Sequence, residues 1–182
     1  MSTERWEIDS SHSSVHFSVR HLVIAKVRGS FTRWSGTVEA PAGDFSKATV
    51  NVLIDAASID TGVADRDAHL KSADFFDVAQ NPELRFVAKR VQPGSAGHLD
   101  VIGDLTIKGL TREVVLKVEH HGQAKDPWGN ERAAFTAKTA IDRKDFGLTW
   151  NQVLETGGVM VGDRVEIEIE VEAVRQAAAK VA

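Results

Sequence analysis

Apolar and polar residues alternate with a period of two through most of the chain. Val15, Phe17 and Val19 alternate with polar side chains, and in residues 165–172 Val and Ile alternate with Glu. Successive side chains of a strand point to opposite faces of its sheet, so this period predicts strands with one apolar face. We therefore expect an all-β protein that turns its glutamates and lysines to the outside.

The alternation recurs in about eight segments separated by turn-like sequences, and short hairpin connections predict antiparallel pairing. The first segment, residues 6–23, is expected to bend near residues 10–14. The second, residues 29–40, changes phase, which a bulge near Gly36 would explain. Eight strands can close into a barrel that has no exposed edge and encloses space for one apolar ligand. Two packed sheets would give the same alternation.

Residues 64–82 depart from this pattern. Asp65 is placed to cap a short helix, and Pro82 prevents the helix from continuing. Phe75 and Phe76 follow, and adjacent aromatic residues cannot both face one side of a regular strand. A short helix with apolar bulk among strands predicts a lid over a cavity, which favours the barrel. We predict an eight-stranded antiparallel barrel with a short helix and lid inserted mid-chain.

The chain of 182 residues suits a single domain, residues 1–182, with a frayed Ala-rich tail at residues 176–182. Its net charge is −4 with both signs interspersed, so no nucleic-acid partner is expected. It has no cysteine, which excludes disulfides and thiolate metal sites. No apolar stretch is long enough to span a membrane, and no leader-like segment begins the chain. We expect a cytoplasmic protein, or a periplasmic or secreted one if a signal sequence was removed.

Motifs for catalysis are lacking, since no nucleophile elbow, phosphate loop or zinc-protease helix occurs. His12, His16 and His21 are close in sequence, but His21 falls on the other strand face, so no metal site is predicted. His21 instead ends the apolar stripe that begins at Val15, where it could meet the polar head of a ligand. Arg66, Asp67 and His69 on the helix could do the same, or Asp67 could simply cap the helix and pair with a neighbour, and of these two interpretations we favour the structural one. Phe146 and Trp150, like Phe75 and Phe76, are either ordinary core residues or lining for an acyl or prenyl chain.

Several blocks of the sequence resemble the YceI-like family. WEID at residues 6–9 and HSSVHFSVRHL at residues 12–22 resemble the family's opening, and RDAHLKSADFFD at residues 66–77 resembles its most diagnostic block. Further blocks follow in the family's order: VRGSF at 27–31, GDLTIKGLT at 103–111, WG at 128–129, RKDFG at 143–147 and VGDRV at 161–165. The resemblance therefore covers nearly the whole chain.

The resemblance implies a lipocalin-like antiparallel barrel that holds a polyisoprenoid or related long-chain amphiphile in its lumen, and a homodimer. The expected ligand is a long isoprenoid or quinone-like lipid, with no other cofactor, and the expected role is carriage or scavenging without catalysis. The residues expected to line the tail are Val15, Phe17, Val19, Val50, Val52, Ile54, Phe86, Phe135 and Ile141. Leu70, Phe75 and Phe76 would close over the tail, and the head would lie near His21, Arg66, Asp67 or His69.

Two alternatives remain open from the sequence. One is an enzyme that acts on a bound isoprenoid lipid with His21 or His69 as general acid or base. The other is a structural or interaction domain whose lumen is filled by side chains. Turnover of an isoprenoid substrate would distinguish the first, and a lumen without free space the second.

Overall fold

The structure, a computed structural model, describes residues 2–155 and 158–178. Residues 176–178 of the predicted tail follow the last strand without regular structure, and residues 179–182 lie outside the described part of the chain. The described residues form one α-helix and eleven strands. The helix is α1 (Ala64–Lys71), and the strands are β1 (Thr3–Ile8), β2 (Ser14–His21), β3 (Ala25–Phe31), β4 (Trp34–Pro41), β5 (Thr49–Asp55), β6 (Ile59–Asp60), β7 (Glu83–Pro93), β8 (Leu99–Ile107), β9 (Leu110–Lys125), β10 (Glu131–Asp142) and β11 (Val161–Arg175).

The strands form one antiparallel barrel that is closed by β11. The order around the sheet is β1-β4-β5-β7-β8-β9-β10-β11, and β11 pairs back onto β1 through Trp6 and Arg175. The other half of β11 pairs with β2, for example Ile169 with Val15, and the sheet continues through β3 to β6. When β1 and β2, β3 and β4, and β5 and β6 are each taken as one bent strand, the barrel has eight strands, and the predicted fold class is confirmed.

The bends lie where the alternation of the sequence changes phase. A 3-10 turn at Ser10–His12 separates β1 from β2, as the sequence predicts. The predicted bulge near Gly36 is wrong, because β4 pairs with β1 and β5 without a shift of register. The phase changes instead at residues 32–33, where β3 ends and β4 begins, so that Phe31 and Trp34 both reach the interior.

Helix α1 lies at the end of the barrel where β6 and β7 are not paired, which we call the helix end. Asp65 does not cap it, because Val63 is the capping residue and Asp65 lies in the first turn, where a carboxylate still interacts favourably with the helix dipole. After Ser72 the chain makes successive turns through Asp77, whose φ of 47° is left-handed. These turns let Phe75 and Phe76 both face inward.

Within the described part of the chain, no helix has the length and apolar character that crossing a membrane requires.

The opposite end, which we call the far end, is filled by aromatic side chains. Phe45, in the connection between β4 and β5, is buried and packs against Trp6 and Phe135 with ring centroids 5.5 and 5.0 Å apart. Ala133 and Ala173 complete this cluster, and both are almost fully buried. Their small side chains leave room for the Trp6 indole, so the barrel is packed at this end.

A four-residue ion cluster on the wall joins the N-terminal bend to β10 and β11. Arg132 donates from Nε to Asp126 Oδ2 at 2.9 Å, and from Nη1 to Asp9 at 3.0 Å and to Glu172 at 2.7 Å. Hydrogen bonds from Ser11, from His12 and from Arg132 hold the pKa of Asp9 well below its usual range. Burial alone would raise the pKa of Asp126, but hydrogen bonds from Arg132 and from its own turn outweigh burial and lower it.

We predict that Asp126→Asn lowers the free energy of unfolding at neutral pH and that this loss becomes smaller in acid. Because the pKa of Asp126 is lowered on folding, its charge stabilises the protein above the unfolded-state pKa of about 3.9, and this contribution is lost as the pH falls below that value. Urea unfolding should therefore show a variant less stable than the wild type at pH 7, with a difference that shrinks below about pH 4. Asn keeps an oxygen that can accept from the turn amides of Trp128 and Asn130.

Glu170→Gln is the control, because Glu170 is exposed on β11 and has no ion pair among the described residues. A difference in stability between Asp126→Asn and wild type that stays constant from about pH 7 to about pH 3 would show that the charge of Asp126 does not stabilise the fold.

Candidate ligand-binding cavity

The barrel encloses a cavity of about 370 Å³ whose lining is almost entirely apolar. It extends from Phe45 at the far end to Arg66 and His69 at the helix end. The inward residues of β5, such as Val50 and Val52, keep part of their surface exposed because that surface faces the cavity. The lumen is therefore not filled by side chains, which argues against the packed-core alternative.

All but two of the predicted site residues line this cavity. Those that do are Val15, Phe17, Val19, His21, Val50, Val52, Ile54, Arg66, His69, Leu70, Phe75, Phe76, Phe86, Phe135, Ile141 and Trp150. The two exceptions are Asp67 and Phe146. Asp67 points to Thr61, and Phe146, 1% exposed, is packed within the apolar core beside the cavity.

Sequence reasoning missed much of the wall contributed by the later strands. Leu105, Val114, Ile167 and Ile169 all line the cavity. Their alternation with polar residues in β8, β9 and β11 indicates that they face inward, so the sequence does contain a signal for their position in the cavity wall. Thr61 and Arg143 also line it, and no pattern in the sequence identifies either residue.

A chain of hydrogen bonds positions Arg66 at the helix end. The Thr61 hydroxyl donates to Asp67 Oδ1 at 2.5 Å, and the Thr61 amide donates to the same oxygen at 2.9 Å. With its proton directed to Asp67, the Thr61 hydroxyl accepts from Arg66 Nε at 2.7 Å, and Arg66 Nη2 donates to the Thr61 carbonyl at 2.8 Å. Asp67 thus acts through Thr61 and does not reach the cavity itself.

His69 lies beside Arg66 on the inward face of α1, one turn further along. Its Nε2 is 2.9 Å from Asp74 Oδ2. Its ring packs edge-on against Trp150 and Phe75, with centroids 4.6 and 5.1 Å away. Phe76 packs edge-on against Phe31 in the same way, at 6.0 Å. The helix end is therefore covered by aromatic rings from the lid and from the segment that carries Trp150.

Arg143 holds that segment in place. Its side chain is 4% exposed, and it donates to four backbone carbonyls: those of Leu148, Trp150, Val161 and Gly162. Burial lowers the pKa of this guanidinium, although Asp163 and Asp142 act in the opposite direction. Since all of its nitrogens are occupied, Arg143 is a structural residue of the cavity wall.

The charged groups that line the cavity all have the same sign. Among residues 2–155 and 158–178 they are Arg20, Arg66 and Arg143, joined by the imidazoles of His21 and His69, and no carboxylate lines the cavity. Arg20 and His21 end β2 at the helix end, so the polar groups are concentrated there while the far end is apolar.

In the part of the chain that the structure describes, a group of residues that could hold a metal lies away from the cavity, on the outer wall. Ligand atoms of Asp9, His12 and Glu172 lie within 4.8 Å of one another. Arg132 already donates to both of these carboxylates. A cation at this position would have to displace the guanidinium.

Comparison with known proteins identifies a family that covers nearly the whole barrel. Residues 6–173 match the YceI-like domain. The chain belongs to the YceI-like family. It is 40% identical over 165 residues to a UPF0312 protein of Staphylococcus aureus (strain MSSA476), an alignment that covers 90% of this chain and 94% of the relative.

Solved structures share this YceI-like barrel. The Campylobacter jejuni YCEI protein has a TM-score of 0.74 at 30% identity, covering 87% of this chain and 90% of that one. Burkholderia cenocepacia BcnA has a TM-score of 0.78 at 24% identity, covering 91% and 98%. A polyisoprenoid binding domain from Saccharophagus degradans has a TM-score of 0.72 at 14% identity, covering 94% and 98%. The last two show the fold alone.

We predict that Arg143→Leu strongly destabilises this YceI-like barrel. Leucine leaves several backbone carbonyls without a donor, and each buried unsatisfied acceptor costs about 1–3 kcal/mol, so a loss of about 3 kcal/mol or more is expected in urea unfolding. Lys144→Leu is the matched control, because Lys144 is exposed and only its Nζ pairs with Asp163. A change of less than about 1 kcal/mol for Arg143→Leu would show that water satisfies these carbonyls equally well.

Proposed function

We propose that the protein binds a polyisoprenoid or a related long-chain amphiphilic lipid in the barrel lumen, without catalysing a reaction on it. The observation that carries this proposal is the enclosed apolar cavity of about 370 Å³ with polar groups at one end only. A ligand that matches it has a long apolar tail and a single polar head.

The walls supply the energy for such binding. Val52, Phe86 and Ile169 are typical of the lining, which offers apolar contact along the length of the barrel. Each methylene moved from water to an apolar site contributes about 0.8 kcal/mol, so a long prenyl chain can bind without polar contacts along its tail. The tail would lie toward Phe45, and the head would lie near His21, Arg66 and His69.

The relatives support the class of ligand. The neighbour from Saccharophagus degradans is described as a polyisoprenoid binding domain. Its barrel superposes on most of this chain, and membership of the same family as the Campylobacter jejuni YCEI protein extends the likeness to sequence. A role in transport, storage or scavenging of such a lipid stays a prediction, as do the quinone-like head group, the homodimer and the cytoplasmic location.

One observation favours a second function, catalysis on the bound lipid. His69 Nε2 is 2.9 Å from Asp74 Oδ2, a pairing that orients an imidazole in many acid–base sites. Under the binding proposal, the isoprenoid is recovered chemically unchanged from both the wild type and His69→Gln. Formation of a product from a bound isoprenoid, lost in His69→Gln, would establish the catalytic alternative.

The direct test is native mass spectrometry of protein purified without detergent, followed by extraction and identification of any adduct. Binding predicts an adduct in a ratio of one per barrel, or its appearance after addition of a prenyl lipid such as geranylgeraniol. Failure to take up any long-chain lipid in either form would contradict the proposal.

We predict that Val52→Asp abolishes retention of the lipid without unfolding the barrel. Val52 faces the cavity, so in the empty protein water can solvate the carboxylate, whereas a bound tail would have to remove that water at a cost of several kcal/mol. Native mass spectrometry should show the loss of the adduct, and circular dichroism should show an unchanged β spectrum.

Asn51→Asp is the control, because Asn51 directly precedes Val52 on β5 and is exposed on the outside. This variant should retain the lipid as the wild type does. If both variants retained the lipid equally well, Val52 would not be in contact with the bound lipid.

A further inference from the structure

Resting on the proposed lipid-binding function, we propose that the protein docks on a bilayer containing anionic phospholipids, through an exposed apolar tip beside the helix end of the cavity. Three residues of this apolar tip, Leu22, Val23 and Ile24, connect β2 with β3. The other two, Val153 and Val159, pair with each other in the loop before β11. None of the five lines the cavity. Docking at this position would let the protein take up its ligand directly from the membrane.

The tip concentrates apolar side chains that are scattered over the rest of the surface. Of the ten large apolar side chains that are exposed among the described residues, five belong to the tip. Ile24 is 85% exposed and Val153 is 79% exposed. Single exposed apolar residues are ordinary on a protein surface, whereas a contiguous group of them indicates a site of contact with a protein or a membrane.

The two loops of the tip contact each other and adjoin the cavity wall. The Leu22 amide donates to the Met160 carbonyl at 2.9 Å. Val23 and Val159 line one groove on the outer surface of β2 and β11. Met160 lines the cavity, and so does His21, which directly precedes the tip on the chain. The tip is therefore one continuous surface next to the covered end of the lumen.

The backbone of the tip adopts a conformation that its residues do not favour. Leu22 and Val23 have φ of 54° and 66°, in the left-handed region that glycine and asparagine adopt readily and β-branched residues rarely adopt. Val23 stays mostly exposed, so burial within the protein does not offset this conformational cost. Packing inside the barrel therefore does not explain an apolar side chain at this turn, whereas contact with a surface outside the protein does.

Basic residues lie directly behind the tip. The outer groove that contains Val23 and Val159 also contains three basic and two acidic residues: Arg20, Lys26, Arg164, Asp163 and Glu166. Glu166 pairs with both Lys26 and Arg164, at 3.4 and 3.7 Å. Asp163 pairs with basic residues of the turn after β10. Arg20 is exposed and has no ion pair among residues 2–155 and 158–178, so positive charge is in excess beside the tip.

An anionic bilayer matches this combination better than a second copy of the chain does. Apolar side chains enter the boundary of the hydrocarbon, and basic residues beside them are attracted to negatively charged headgroups. A stable protein interface buries about 800 Å² per partner over about 20 residues, many more than the five of the tip. A two-fold contact sets the same surface of both copies face to face, so it would also bring the Arg20 side chains of the two copies together.

Flotation of the full chain with vesicles tests docking without any prenyl lipid. Vesicles of roughly three parts phosphatidylcholine to one part phosphatidylglycerol should bind the protein, and vesicles of phosphatidylcholine alone should bind it about fivefold or more weakly. Raising the NaCl concentration should weaken binding to the anionic vesicles, because salt screens the charged contact. Since no prenyl lipid is present, failure to bind vesicles would overturn docking and leave lipid binding in the barrel intact.

Four variants assign the docking surface. Ile24→Asp should lower binding to the anionic vesicles about tenfold, because a carboxylate at the tip opposes both insertion and the attraction to anionic headgroups. Trp128→Asp is the matched control, because Trp128 is similarly exposed but lies on the turn between β9 and β10 at the far end. Arg20→Gln should lower binding about fivefold. Lys125→Gln removes the same charge at the far end and should bind as the wild type does.

A fluorescent label reports directly on contact between the tip and the bilayer. The chain has no cysteine, so Ile24→Cys can carry a single environment-sensitive fluorophore such as NBD. Its emission should shift to the blue when anionic vesicles are added, and the emission of labelled Trp128→Cys should not. Uptake of geranylgeraniol from these vesicles should be about tenfold slower in Ile24→Asp. The amount retained at equilibrium should be unchanged, because Ile24 does not line the cavity.

The other outcomes overturn defined parts of the proposal. Equal vesicle binding by Ile24→Asp and Trp128→Asp would place docking away from the tip. Equal binding to neutral and anionic vesicles would remove the requirement for anionic lipid. A dimer in analytical ultracentrifugation that Ile24→Asp dissociates, with no binding to vesicles, would identify the tip as an interface between two copies. A wild type that binds vesicles but takes up no prenyl lipid would contradict the proposed function and leave docking standing.

Discussion

The structure depends on the way β11 closes the barrel by pairing with β10 on one side and with two different strands on the other. Its C-terminal half pairs with β1 and its N-terminal half with β2, so the chain must change direction between these two strands without leaving the sheet. The 3-10 turn at Ser10–His12 makes this change. The Asp9 amide donates to the Glu172 carbonyl at 2.8 Å, and Arg132 joins Asp9 to Glu172 from the neighbouring strand. The ion cluster thus lies at the bend that closure requires.

Closure also explains why the two ends of the barrel differ. At the far end, the connection between β4 and β5 carries Phe45 into the interior, where it packs against Trp6 and Phe135. At the helix end, β6 has only two residues and does not reach β7. The gap is covered by α1 and the turns after it, whose side chains pack through Phe75 and Phe76 and leave space beneath them. A cavity with one packed end and one covered end is the direct result.

The sequence predicts the barrel well because period-two alternation is a local signal that survives in every strand. It predicts most of the lining for the same reason, since the parity of one inward residue assigns its neighbours, as with Val15 and Phe17. It fails where the relevant contact is made across the chain. Thr61 orients Arg66 only because Asp67 fixes its hydroxyl, and Arg143 is recognisable only from carbonyls that lie up to 19 residues away. Phe146 does not line the cavity as predicted, for another reason. An aromatic residue after a strand can enter either the core or the cavity, and the 3-10 turn that directs Phe146 into the core leaves no signal in the alternation of the strands.

The two arginines of the cavity illustrate how a charge near an apolar space can serve structure or binding. Arg143 is nearly fully buried, and backbone carbonyls occupy its donors, so its charge is dispersed over dipoles of the protein and the Trp150 segment is held against β11. Arg66 is held by only one residue, Thr61, on one side of its guanidinium plane. The two residues differ in how much of each guanidinium the fold uses: backbone carbonyls accept from all three nitrogens of Arg143, whereas Thr61 accepts from two nitrogens of Arg66. The same side chain therefore fixes a distant segment in one case and is itself fixed by its own helix end in the other.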